Sequence, residues 1–183
     1  MKVIAAIRGA MADGYERVYT PIEEGVSGRP EPVEAVVVLR ARDRAHVDKL
    51  LDAVAVVDAY LVDERAQWDR GGETVARIAF VVRAAGLTRD ELATHWNDVH
   101  APLARVHHPA VVRYTQNVVV EALTPGAREI DGIAELGFAS LAGVRDRMYD
   151  SPEGEAVIGA DVEGFLDRAA GWRILARSEI PAR

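Results

Sequence analysis

The sequence predicts an α+β fold built from antiparallel sheets, and three observations carry the prediction. Short apolar, β-branched runs recur along the 183 residues, helical periodicity appears only between them, and the second half reads β-α-β-β-α-β. That order is the split βαβ, or ferredoxin-like, arrangement. The first half gives a strand, an irregular stretch and then β-α-β, the same unit with its first helix lost. Two such sheets can close face to face into one barrel, burying the apolar face of each and enclosing a cavity.

Each element has its own signature. Residues 1–8 are a short apolar run with strand character. Residues 9–32 hold glycine, proline and charge with little periodicity and are expected to be mostly irregular, with 15–22 as an edge strand that tolerates Pro21. Residues 33–40 form a continuous β-branched run, typical of a strand covered on both faces. Asp43 is placed to cap a helix in which Val47, Leu50, Leu51 and Val54 recur. Residues 56–67 alternate as a half-exposed strand, and the glycine-containing connection at 69–73 divides a first half, 1–70, from a second, 74–183.

The second half is fuller. Strand 74–84 leads to a helix from Arg89 toward His107, then strand 111–121, a turn at Pro125-Gly126 and strand 133–138. Ser140 caps a short helix through Met148, Ser151-Pro152 restarts a helix, and residues 171–180 close with a strand. The last strands of the two halves look alike, at 58–64 and 172–179.

Composition narrows the function. The net charge of −7, without a Lys/Arg cluster, suits no phosphate backbone, so a nucleic-acid partner is not expected. No apolar run reaches membrane-spanning length and the N-terminus lacks signal-peptide order, so a soluble, cytoplasmic chain without a membrane partner is expected. The absence of cysteine removes disulfides, thiolate nucleophiles and Cys-type metal sites. Aromatics are only 6% of the chain, so each one on a buried face carries weight.

The helix after Thr88 is the best-written segment. Thr88 and Glu91 make a capping box, and Leu87 and Leu92 sit at the positions of a hydrophobic staple. Leu92, Trp96, Val99 and Leu103 mark its buried stripe. His100 lies one turn beyond Trp96, beside that stripe. Pro102 has no N–H for the carbonyl of Asp98, which predicts a kink or restart just after His100. An imidazole at a helix break beside a buried Trp suits a general acid or base, and its alternative is a core-edge histidine bonded to a carbonyl.

No bound metal is expected. His95 and His100 are five apart, not the four that places two ligands on one α-helical face, and zinc needs a third. His107-His108-Pro109 is read as a helix end. Val157, Asp161 and Phe165 are spaced by four, which sets the Asp161 carboxylate on an otherwise apolar face, either toward a cavity or bonded to a neighbour. Trp96, Tyr114, Phe138 and Phe165 either line a pocket or are plain core.

The stretch His95-Trp96-Asn97-Asp98-Val99-His100-Ala101-Pro102-Leu103, then Val112-Arg113-Tyr114-Thr115-Gln116-Asn117, resembles the EthD family. So do Asp131-Gly132-Ile133-Ala134-Glu135-Leu136, Ser151-Pro152-Glu153-Gly154, Ala160-Asp161 and Phe165-Leu166, in the family's order. The resemblance implies a dimeric α/β barrel, formed in single-unit members by two copies. Here the degenerate first half suggests an internal partner, and a homodimer stays open. His100, Asp161, Trp96, Asn117 and Glu135 match family motif positions.

The resemblance implies a cofactor-independent enzyme of lyase, cyclase or dehydratase type, acting on a small apolar or phenolic, polyketide-like compound in a barrel pocket. His100 would move a proton, Asp161 would orient it, Asn117 would hold a substrate oxygen and Trp96 would stack on the ring. Glu135, Tyr114, Phe138 and Phe165 complete the expected binding set. The alternatives are a non-catalytic ligand-binding or oxygenase-accessory protein, a haem binder and a cofactor-free monooxygenase.

Overall fold

The computed structural model describes residues 1–9, 14–27 and 32–181. Among these residues eight antiparallel strands close into a barrel. The first half supplies β1 (Lys2–Arg8), β2 (Tyr15–Ser27), β3 (Ala35–Arg40), helix α1 (Arg44–Asp52) and β4 (Ala55–Asp69). The second supplies β5 (Val75–Arg83), α2 (Arg89–His95), a π-helical turn (Trp96–His100) and α3 (Ala101–His107). It continues through β6 (Val111–Ala122), β7 (Gly132–Phe138), α4 (Leu141–Asp146), α5 (Pro152–Phe165) and β8 (Leu166–Glu179).

Around the barrel the order is β1-β3-β2-β8-β5-β7-β6-β4. Within the first half this reads β4-β1-β3-β2 and within the second β8-β5-β7-β6, so the two halves repeat one ferredoxin-like topology. Among the described residues the first shows no helix between its first two strands. β4 and β8, whose sequences look alike, hold equivalent places. Antiparallel pairing of β4 with β6 and of β2 with β8 joins the two sheets inside one chain.

One strand differs from expectation. β2 is not an edge: it runs to Ser27 and pairs with β3 on one side and β8 on the other. Pro21 is accommodated because pairing with β3 ends at Tyr19, and the β8 register shifts between Pro21 and Val26. Residues 10–13 and 28–31 of the stretch expected to be irregular lie outside the described residues.

Strand alternation produces three interior layers. The barrel lumen is filled by Ile4, Tyr60, Phe80, Ile133, Trp172 and Ile174 among others, and the Phe80 and Trp172 rings stack with centroids 3.8 Å apart. Each such buried side chain contributes roughly 1.5–3 kcal/mol. α1, capped by Asp43 accepting from the His46 N–H at 2.9 Å, covers the outer face of the first sheet through Val47, Val3 and Leu39. The later helices cover the outer face of the second sheet, where Leu92, Trp96, Tyr114, Phe138 and Phe165 pack.

One part of the lumen is polar. Lys2 Nζ donates to Glu64 and to Glu135 at 2.6 Å each, Tyr19 donates to Glu135, and Arg113 ties Tyr19, Thr115 and Glu73 together. Burial pushes the Glu135 carboxyl up, but the charges of Lys2 and Arg113 outweigh it and hold the group down at about 2. The lumen is thus packed with side chains rather than left as the expected central pocket. No helix among the described residues is long and apolar enough to cross a membrane.

Candidate functional site

Thr88 caps α2 as its sequence requires. Its hydroxyl accepts from the Glu91 N–H, and the Glu91 carboxylate accepts from the Thr88 N–H at 2.7 Å. Leu87 packs on the cluster that holds Leu92, so the staple is also present. Beyond His95 the α-helical pattern stops. Trp96–His100 make one π turn, in which the Ala101 N–H donates to the Trp96 carbonyl five residues back. Pro102 cannot supply the N–H that the Asp98 carbonyl would need, which forbids an unbroken α-helix here. The helix restarts at Ala101 with Pro102 in its first turn, where a missing donor is tolerated. From the sheet side, the fully buried Gln116 donates to the same Trp96 carbonyl at 2.7 Å.

This turn changes which residues share a face. A π turn bonds residues five apart, so it brings His95 and His100 into line. Val99, expected on the buried stripe, is 43% exposed, and His100 at 8% takes the inward place. Both imidazoles then meet one carboxylate from α5: His95 Nε2 and Asp161 Oδ1 are 2.7 Å apart, as are His100 Nδ1 and Asp161 Oδ2. Ser151 caps α5 and sets its phase, accepting from the Gly154 N–H at 3.0 Å. Ile158 and Phe165 are its buried contacts, whereas Val157, expected beside Asp161 on an apolar face, is exposed.

The tautomers follow from the chemistry. A carboxylate only accepts, so each histidine carries its proton on the nitrogen that faces Asp161. For His100 that is Nδ1, which leaves Nε2 with its lone pair and no protein partner among the described residues. Burial lowers the His100 pKa, and the hydrogen bond and charge of Asp161 oppose this only in part. The ring is therefore neutral near pH 7, with one basic nitrogen available.

His100 lines a cavity of about 380 Å³ between the outer face of the second sheet and the helices. Trp96, Tyr114 and Phe165 line it too; Phe138 lies in the same apolar layer without reaching it. The Trp96 indole N–H donates to the Tyr114 hydroxyl at 2.7 Å, and its ring lies where a Cβ on Gly132 would be, so that glycine makes room for it. The cavity thus lies mainly on the outer face of the second sheet, with the lumen residues Phe80 and Trp172 also on its border. A second cavity, of about 410 Å³, is lined by Arg83, Arg89 and Asp131, whose charges pair with one another, and holds none of the expected residues.

Asn117 and Glu135 do not join this group. They point into the lumen, across the sheet from His100, where the Asn117 amide donates to Glu135 and to the Ile133 carbonyl at 2.9 Å each. Strand parity explains the separation: Asn117 is three residues from Tyr114, and Glu135 three from Phe138, so each pair straddles its strand. His95, Gln116 and the cavity-lining His108 and Arg77 were missed. His107 and His108 end α3 as expected, with His107 on Asp150 at 3.1 Å and His108 Nδ1 donating to the Met148 carbonyl at 2.7 Å. Among the described residues no group of three His, Asp or Glu side chains is arranged to hold a metal ion.

Residues 84–169 match the EthD domain, a span that contains His95, His100 and Asp161. No curated protein matches the chain. Among solved structures the chain is similar to a crystal structure described as that of an anthrone oxidase-like protein. The TM-score is 0.62 over 97% of this chain and 90% of that one, at 12% identity, a likeness of fold alone.

Proposed function

We propose, from the match of residues 84–169 to the EthD domain, that this chain is a cofactor-independent enzyme acting on a small phenolic or polyketide-like ring compound. The observation that carries the reading is His100 in the wall of a cavity with apolar and charged lining, held from behind by Asp161, with its Nε2 left over as a base. A substrate whose acidic C–H or O–H faces Nε2 would give up its proton there. Asp161 would stabilise the imidazolium that forms, and the same proton could then return to a different atom of the product. This is the elementary step of lyase, cyclase and dehydratase chemistry, and of the carbanion formation that precedes cofactor-free oxygenation.

Trp96, Tyr114 and Phe165 would hold the ring. Asn117 and Glu135, on the other side of the sheet, are not part of this reading. His95 serves as a second donor that fixes Asp161.

The test is turnover of a panel of hydroxynaphthalenes, anthrone and related enolisable polycyclic phenols, without added cofactor, followed by mass spectrometry. Wild type should convert at least one, and His100→Ala should be slower by about 10²-fold or more while remaining folded. Undiminished turnover in that variant removes His100 from the mechanism. No turnover of any compound that the cavity binds favours a non-catalytic ligand-binding protein instead.

A further inference from the structure

Arg77 stands on the outward face of β5, in the wall of the same cavity as His100. Its neighbours on the strand, Ala79 and Val81, are the apolar floor of that cavity. Among the described residues its guanidinium makes no hydrogen bond and no ion pair. A guanidinium brings five N–H donors in a rigid fork, and on this half-buried side chain they are free to meet a ligand in the cavity.

The charges around it do not repair this. Arg173 faces outward on β8, diagonally across from Arg77 in the β5–β8 register, and Arg168 lies at the same rim. Burial first, and then these two cations, lower the pKa of Arg77, so its electrostatic surroundings favour an added negative charge. Among the described residues the one carboxylate lining the cavity, Asp167, is occupied by its own turn: Oδ1 accepts from the Ala169 and Ala170 N–H groups at 2.9 and 3.1 Å. Arg168 leans toward Glu163 at 3.5 Å, where both side chains are exposed. Asp161 is turned to the two histidines.

Two further groups complete this part of the wall. His108 is held neutral by burial, its pKa lowered to about 4, with Nδ1 committed to the Met148 carbonyl. The Tyr149 ring packs against it, at 5.1 Å between centroids, and its hydroxyl has no protein partner among the described residues. Arg77 and Tyr149 line the same cavity, so an anion held there by the guanidinium has a hydroxyl donor in the same wall.

We propose that the cavity takes a flat apolar ring bearing one carboxylate, anchored by Arg77, with the Tyr149 hydroxyl as a second donor. A carboxylate matches the guanidinium fork in bidentate fashion, whereas a neutral amide or alcohol cannot. Anchored there, the ring lies along Ala79, Val81 and Ala134 toward Trp96 and His100. Arg77 is thus a substrate-positioning residue, and the acid group is a handle for orientation. The proposal rests on the reading of this cavity as the substrate site and adds the class of substrate.

The test compares 2-naphthoate with 2-naphthamide, which has the same ring and nearly the same shape without the charge, by titration calorimetry at pH 7.5. Wild type should bind naphthoate about tenfold or more tightly than naphthamide. Arg77→Gln should bring the ratio to about one and leave naphthamide binding within about twofold, with Arg77→Lys in between. Equal binding of the two probes by wild type overturns the anion subsite while leaving the cavity reading intact. So does a preference that survives in Arg77→Gln. Failure of wild type to bind either probe overturns both. The wild-type comparison stands even if a variant does not fold.

Discussion

Asp161 and His100 touch, Oδ2 to Nδ1 at 2.7 Å, although 61 residues separate them in the chain. The contact exists because a π turn, and not an α turn, carries His100 into the layer between helices and sheet. The same turn sets His95 on the other oxygen of the carboxylate, so one acidic side chain on α5 fixes two imidazoles on the facing helix.

Replacing Asp161 by Asn separates charge from shape. The amide is nearly isosteric and can keep one histidine contact, but it cannot stabilise an imidazolium. Asp161→Asn is expected to slow turnover by about 10²-fold or more, with a stability change within about 2 kcal/mol. Turnover and urea unfolding of the same preparation measure the two effects.

Gln116 is the brace of the π turn. Its amide reaches the Trp96 carbonyl at 2.7 Å and the Tyr114 hydroxyl at 3.2 Å in a fully buried position. Gln116→Leu removes both contacts and is expected to cost about 1–3 kcal/mol in urea unfolding. It should also perturb the His95 and His100 ring resonances in NMR spectra, because the turn that aligns them loses its outside support.

Stability should fall as pH drops below neutrality. The His108 pKa is lowered from 6.5 to about 4, chiefly by burial, so between those values the unfolded chain binds a proton that the folded one refuses. That difference favours unfolding in this window and is absent above it. His108 alone should remove about 2 kcal/mol between pH 7 and pH 5, and the lowered pKa of His100 acts in the same direction. Urea unfolding at several pH values measures the slope, and His108→Gln should flatten it.

Glu135 works in the opposite sense and at more acid pH. Its folded pKa of about 2 lies below the ordinary carboxylate value, so its contribution is complete above about pH 4.5 and is lost as pH falls toward 2. Glu135→Gln leaves Lys2 and Arg113 with less compensation in the lumen. It is expected to cost about 3–5 kcal/mol at pH 7, measured by the same unfolding experiment.

Much of this architecture is legible locally. Thr88 with Glu91, Ser140 with Gly143 and Ser151 with Gly154 are contacts three residues apart, and each helix begins where those residues place it. The doubled topology is legible from element order. His95 was missed because its separation from His100 was judged by α-helical spacing. Pro102 signalled the break but not that it takes the form of a π turn. Asn117 and Glu135 were grouped with Tyr114 and Phe138 by family resemblance, where strand parity already assigns them to the other face. The place of the cavity was not legible: it depends on Tyr60, Phe80 and Trp172, from three distant strands, meeting to fill the lumen.

Proton transfer at this cavity depends most directly on the protonation of one ring. Nitrogen-15 spectra of histidine-labelled protein at pH 7 distinguish the two neutral tautomers and the imidazolium at His100 without knowledge of any substrate. A neutral ring with its proton on Nδ1 and an unprotonated Nε2 is expected, with loss of that preference in Asp161→Ala. A proton on Nε2, or an imidazolium at pH 7, would contradict it.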